Sequence, residues 1–359
     1  MDNRQTPIEA PDQSPLMAYL TVEAVTYLLP DVIQITFSRS PWDFEAGQFI
    51  TIELRTDYQQ TVYRRSYSLA NLPGEPLQIV VKRLPNGLGS NYLFGQARPG
   101  LQLMVQHPTG KFTLSNGNAG HASLVLAGAG SGLTPLFALL RAALKSDQYQ
   151  TIQWLVTYRR LGASLFFEEV KQLASQFPDR VKLTYFVTSG ELPKPNLQKL
   201  NHNYIAGHLS NTAFEHWLKK QAVDLSRTDF YICGPAALMQ ILKFELRYLG
   251  VTAEAIHQEQ FVIPTRSASP EQYNAQPAEI VDKGRFDILP NETLLQAGLR
   301  AGLSLPFSCQ AGQCSACIAQ LVSGQVEHQY NEVLTDSDLA AGAILTCTAH
   351  PLTPVVWTY

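Results

Sequence analysis

Four of the five cysteines in this 359-residue chain lie beyond position 308, as Cys309-x4-Cys314-x2-Cys317 followed by Cys347. This spacing constrains the fold more than any local propensity, because one tight loop must turn three sulfurs inward. Five cysteines are too few for a disulfide scaffold, and thiols gathered this way in a reducing compartment hold a metal. The C-x4-C-x2-C…C order is that of four thiolates gripping a [2Fe-2S] cluster. Ala311, Gly312 and Ala316 are small, so loop N–H groups can approach the sulfurs, and Gly312 tolerates dihedrals that other residues avoid. Structural zinc is the competing metal. Zinc ribbons use two C-x2-C pairs, and only Cys314 and Cys317 form one. A Rieske centre needs two histidines, and no C-x-H step occurs.

The chain as a whole bounds what such a centre can belong to. Its length allows two or three domains. With 45% apolar and 16% charged residues it is globular rather than disordered. A net charge of −3 gives no general attraction to nucleic acid or to an anionic membrane. Met1 to Pro15 is polar and lacks the apolar core of a signal peptide, and no apolar run reaches 18 residues. A cytoplasmic protein without membrane insertion is expected.

Residues 1–16 read as a disordered tail. Residues 17–117 carry short strand-like segments broken by turns at Asn71-Leu72-Pro73-Gly74, Pro85-Asn86-Gly87 and Pro108-Thr109-Gly110, and Ile50, Ile52 and Leu54 alternate with polar residues. That pattern predicts an antiparallel β-barrel. Over 118–262 short apolar strands (Ser123–Ala127, Gln153–Thr157, Val181–Val187, Asp229–Cys233) alternate with helical runs, which predicts a doubly wound α/β parallel sheet. Residues 263–277 are rich in Pro, Ser and Gln and read as a linker. Residues 278–359 form the cysteine-bearing module.

Arg65-Ser66-Tyr67-Ser68-Leu69 is a weak motif alone. Taken with Gly47-Gln48-Phe49, Gly87-Leu88-Gly89-Ser90 and Pro108-Thr109-Gly110-Lys111-Phe112, it resembles the flavin domain of the ferredoxin–NADP reductase superfamily. Arg65 offers a planar fork of donors for a flavin phosphate. Ser90 opens an apparent helix over Asn91–Phe94, where its hydroxyl and the neighbouring N–H groups suit phosphate oxygens. The resemblance implies that Tyr67 lies flat on the isoalloxazine and that Ser68 hydrogen-bonds near N5. Leu69 and Gly89 complete the flavin set, and Arg64 is read as a solvated neighbour.

The resemblance continues in order. Leu124–Ala127 runs into Gly128-Ala129-Gly130-Ser131-Gly132-Leu133-Thr134-Pro135, a glycine turn at a helix start that suits pyrophosphate. Its G-x-G-x-G spacing differs from the dehydrogenase fingerprint G-x-G-x-x-G. By resemblance Thr134 lies near the nicotinamide. Cys233-Gly234-Pro235 matches the segment beside nicotinamide C4, where Cys233 shapes hydride transfer. Ile256-His257-x-Glu259-x-Phe261 matches the end of this domain, with Glu259 and Phe261 facing the flavin and His257 structural. The second strand ends in Tyr158-Arg159-Arg160, and Arg159 suits a ribose 2′-phosphate, pointing to NADPH with NADH as the alternative. The last domain resembles plant-type ferredoxins, which implies an α+β β-grasp fold.

Within residues 277–359 eight acidic side chains face three basic ones, a net charge of −5 that can steer a docking partner. The whole chain resembles reductase components of the phenylacetyl-CoA epoxygenase type, which implies FAD; the phthalate dioxygenase reductase type, with FMN, is the alternative. No oxygen-activating motif is visible. The implied function is therefore an NAD(P)H-dependent electron-transfer reductase whose acceptor is another protein, an oxygenase, monooxygenase or desaturase. A reductase resembling that of hybrid-cluster protein and a redox sensor without turnover are the other readings. Catalytic roles fall to Tyr67, Ser68, Cys233 and Glu259.

Overall fold

The computed structural model describes residues 16–55, 62–114, 117–118, 120–161, 164–190, 202–261, 273–331 and 333–359. The tail reading (save its last residue) and most of the linker reading lie outside them. Three domain sheets follow one another along the chain, and buried Val32, Ala70, Val80 and Phe112 of the first join the core of the second.

The first sheet holds β1 (Met17–Leu29), β2 (Val32–Phe37), β3 (Phe49–Arg55), β4 (Val62–Ser68), β5 (Gln78–Lys82) and β6 (Gln102–Thr109), in the order β4-β3-β6-β1-β2-β5. All pairings are antiparallel, and a bridge between Leu69 and Ile79 joins the two edges into a barrel. Alternation decides which side chains enter it: Ile50, Ile52 and Leu54 of β3 are buried with Ile33, Ile35 and Val105. Helix α1 (Leu88–Gln96) caps one side.

The second sheet is wholly parallel. It comprises β7 (Ser123–Ala129), β8 (Thr151–Tyr158), β9 (Val181–Val187), β10 (His202–Ala206), β11 (Thr228–Cys233) and β12 (Ile256–Glu259), ordered β10-β9-β8-β7-β11-β12. Helices α2 (Leu133–Lys145), α3 (Phe167–Gln176), α4 (Asn211–Lys220) and α5 (Ala236–Tyr248) cover both faces, so its strands are near-continuous apolar runs. Strand order reverses between β7 and β11, which opens a crevice beyond their carboxyl ends. Beneath the sheet Asp229 is fully buried and accepts from Tyr149 (2.8 Å), His121 (2.9 Å) and the Asn118 backbone (3.1 Å), pinning the crossover from the barrel. Burial alone would lift its carboxyl, but the His257 ring 3.6 Å away and hydrogen bonds from Tyr149 and His121 outweigh that and hold it below the ordinary carboxylate value. His257 stacks on Tyr231 at 4.3 Å, a structural contact.

The third domain pairs β13 (Gln276–Ile280), β14 (Gly284–Ile288), β15 (Ile318–Ser323), β17 (Ala343–Leu345) and β19 (Val355–Thr358) in a mixed sheet ordered β14-β13-β19-β15-β17. A ribbon of β16 (Val326–His328) and β18 (Ala349–Pro351) stands beside it, with helices α6 (Leu294–Arg300) and α7 (Asp336–Ala340). A capping box of Thr293 and Gln296 starts α6, and Trp357 is fully buried in the core. One boundary needs correcting. Gln276 and Pro277, read as linker, already pair with Ile288 and Asp287.

Candidate electron-transfer site

The cysteine loop comes first. Gln310 (φ 54°) and Gly312 (φ 68°) adopt left-handed backbone, which reverses the chain so that sulfurs before and after them converge. A Cβ on Gly312 would lie 2.6 Å from the Tyr330 carbonyl, so the loop is pressed against that backbone. Loop amides point at sulfur: Cys309 N–H donates to Cys314 Sγ and Ala311 N–H to Cys309 Sγ, each at 3.3 Å. The Cys314 thiol is held below its ordinary value chiefly by Cys309 beside it, and Cys317 chiefly by Cys347. The same neighbours, and then burial, push Cys309 and Cys347 up. Among the described residues no three His, Cys, Asp or Glu side chains converge as a single-ion site needs. The C-x4-C-x2-C…C spacing, with two sulfurs for each iron, fits a two-iron centre better than one tetrahedral zinc.

Strand β4 approaches this loop. A cavity of about 240 Å³ is lined by Arg65, Ser66 and Ser68 of the barrel, Glu259 and Phe261 of the α/β domain, and Cys309 of the cluster loop. Ser68 Oγ donates to Glu259 Oε2 at 2.9 Å, although 191 positions separate them. Glu259 pairs with Cys233 across β12 and β11, so Ser68, Glu259 and Cys233 come together at one corner. With its hydrogen committed to a buried carboxylate, the Ser68 hydroxyl can only accept from a ligand in the cavity. Leu69 instead enters the barrel core. Tyr67, expected on the isoalloxazine, instead packs its half-buried ring on that core and is not among the residues lining the cavity, and burial lifts its phenol to about 12.

Arg65 lies over Gly89: a Cβ there would meet Arg65 Cγ at 2.7 Å. The start of α1 has no side-chain cap and no acidic residue in its first turn, so Arg65 and free N–H groups occur together, as a flavin phosphate requires. The Ser90 reading needs correction. Helix α1 begins at Leu88, Ser90 is buried within its first turn, and its hydroxyl bonds Gly87 O and accepts from Leu84 N. Arg64 is corrected too. It is not solvated but donates to the Phe307 carbonyl (2.8 Å), pairs with Glu53 (3.3 Å) and stacks over the Phe307 ring. Ser66, Thr51 and Ser308 form a hydroxyl chain with 2.8 Å links. These contacts seat the residues just before Cys309 on the barrel. The i, i+2 spacing of Ser66 and Ser68 on one strand was the available signal for Ser66; nothing local marked Thr51 or Phe307.

At the reversal of strand order, Gly128 and Gly132 press against the Cys233 carbonyl, where a Cβ would come within 2.2 and 2.4 Å. Gly130 (φ 61°) opens onto a cavity of about 580 Å³ lined by Ser131, Arg159 and Arg160 as well as Lys82 of the barrel. Helix α2 starts there uncapped, with Thr134 buried in its first turn. Gly234 and Pro235 lead from Cys233 into α5, and Gly234 abuts Ala129. A pyrophosphate fits such a turn.

Comparison with known proteins agrees domain by domain. Residues 21–114 match the oxidoreductase FAD-binding domain, residues 126–243 the oxidoreductase NAD-binding domain, and residues 280–352 the 2Fe-2S iron-sulfur cluster binding domain. The ferredoxin reductase component of 3-ketosteroid-9-alpha-monooxygenase from Rhodococcus rhodochrous is 30% identical over 97% of this chain and 98% of its own. One of the subunits of 1,2-phenylacetyl-CoA epoxidase from Escherichia coli is 29% identical over 93% of this chain and 95% of its own. Phthalate dioxygenase reductase shares the fold, with TM-score 0.61 and 21% identity over 96% of this chain and 98% of that one. The chain belongs to the ferredoxin–NADP reductase superfamily, as a flavoprotein oxidoreductase that carries electrons from NAD(P)H through FAD to a plant-type [2Fe-2S] centre.

Proposed function

We propose that this chain is the reductase component of an oxygenase system, using NADPH and passing single electrons to a separate oxygenase protein in the cytoplasm. One observation carries the reading: a single cavity is lined by Ser68 of the barrel, Glu259 of the α/β domain and the cluster ligand Cys309. When bound, the nicotinamide supplies an electron pair as hydride, the flavin divides it, and the cluster accepts one electron at a time.

The residues have separable tasks. Arg65 and the N–H groups opening α1 take the flavin phosphate, with Gly89 leaving room for the arginine stem. Glu259 orients the Ser68 hydroxyl so that its lone pairs face the reacting edge. Gly128, Gly130 and Gly132 bring the start of α2 to the nucleotide pyrophosphate, while Thr134 and Cys233 shape the nicotinamide subsite and Gly234-Pro235 turns the chain away. Arg159, an exposed cation lining the larger cavity, takes the 2′-phosphate. Cys309, Cys314, Cys317 and Cys347 hold the two irons. The division runs 17–117 for the flavin domain, 118–262 for the nicotinamide domain and 276–359 for the cluster domain. Among the described residues no helix is long and apolar enough to cross a membrane. Relatives named as monooxygenase reductase components support the oxygenase partner.

The test is an anaerobic titration of the purified protein with NADPH and then NADH, followed by addition of the oxygenase that co-purifies with it. Flavin bleaching by NADPH, then cluster bleaching, then reduction of the oxygenase is expected. A chain that reduces dyes but no oxygenase would sink the partner assignment.

A further inference from the structure

Gln313 immediately precedes Cys314 in the cysteine loop, and its two ends face different chemistry. Its backbone N–H faces the Cys309 thiol. Its side chain lines the cavity that holds Ser68 and Glu259, together with an adjoining cavity of about 490 Å³ that shares Phe49, Glu259 and Gln313 with the first. The residue exposes only 9% of its surface, and its Nε2 is buried with no hydrogen-bond partner among the described residues. Across the same cavity, Gln260 Oε1 is also buried and without a partner among them.

A buried amide left without a partner costs about 1–3 kcal/mol, and native proteins carry few of them. Here two such groups of opposite kind, one donor and one acceptor, border one cavity. A half-turn about the terminal bond exchanges nitrogen and oxygen, so either amide can give or accept. The ligand that satisfies both presents a planar edge of alternating donors and acceptors, as a flavin ring does. Resting on the assignment of this cavity to the flavin, we infer that the Gln313 amide hydrogen-bonds the isoalloxazine while its backbone faces Cys309. It is thus the residue through which the cluster loop grips the flavin, with Gln260 as its counterpart on the α/β domain.

The experiment uses the full chain carrying Gln313→Leu, similar in size without polar atoms, and Gln313→Glu, the same shape without the donor. FAD dissociation, the flavin absorption bands and the cluster signal in electron paramagnetic resonance are measured for each and for the parent. One neutral hydrogen bond predicts FAD binding weaker by about threefold to tenfold in both variants, with shifted flavin bands. The cluster signal of Gln313→Leu should stay that of the parent. Parental affinity and flavin bands in both variants would overturn the inference, and so would a change confined to the cluster signal, which would make the side chain a loop support. If the leucine variant does not accumulate, the glutamate variant decides. A parent that binds no flavin would instead overturn the cavity assignment itself.

Discussion

The cluster loop and the flavin cavity touch at Cys309, yet they are built in opposite ways. Three of the four clustered cysteines sit within one short loop, positioned by left-handed backbone at Gln310 and Gly312. The cavity instead gathers β4, the end of β12 and the cysteine loop, segments far apart in the chain, and its central hydrogen bond spans 191 positions. The loop needs local backbone geometry, whereas the cavity needs three domains to dock. A change in the loop should therefore remove one redox centre cleanly. A change at a docking contact should leave every centre in place and slow the transfer between them.

The most severe expected effect tests the loop. Cys314→Ser should abolish cluster absorption and lower bound iron while NADPH still bleaches the flavin; loss of both would show that the modules do not fold separately. Next is Gly132→Ala, where the added methyl meets the Cys233 backbone carbonyl at 2.4 Å, an atom that cannot move aside as a flexible side chain would. Overpacking of this kind destabilises by about 1–3 kcal/mol. A lowered melting temperature and slowed flavin reduction by NADPH, with the flavin spectrum kept, should appear together in thermal melts and stopped-flow traces.

Arg64→Ala tests docking. It deletes the hydrogen bond to Phe307 O and the stack on the Phe307 ring. Flavin-to-cluster transfer should slow about tenfold, the equivalent of about 1.4 kcal/mol, while hydride transfer to the flavin keeps its rate. Parental rates for both steps would remove Arg64 from the account. Smallest is Arg159→Ala, an exposed side chain whose loss should cut the preference for NADPH over NADH by about fivefold in kcat/KM, since a solvated charge–phosphate contact is weak. An unchanged ratio would move 2′-phosphate recognition elsewhere, with Arg160 and Lys82 lining the same cavity.

Much of this was legible from residues alone. The spacing of Cys309, Cys314, Cys317 and Cys347 announced the cluster, and apolar runs at β7, β8, β9 and β11 announced a buried parallel sheet. The glycine turn after β7 marked a close approach of backbone to Cys233 beside a cavity. These signals are local, because ligand spacing, strand burial and turn dihedrals are dictated by neighbours in sequence. Helix starts were less legible. Ser90 reads as an opening residue from its type, yet α1 begins earlier and uses the serine to tie down its own first turn.

What the sequence determined by itself was the chemistry: which groups can bind iron, phosphate and nucleotide, and their order along the chain. Tertiary structure alone decided their adjacency. Arg64 looks like any surface cation on an exposed strand until Phe307 arrives from the third domain, and Ser68 meets Glu259 only when the barrel docks on the α/β sheet. The physical reason is that a contact across domains is set by the matching of whole surfaces. No short stretch of residues encodes such a fit.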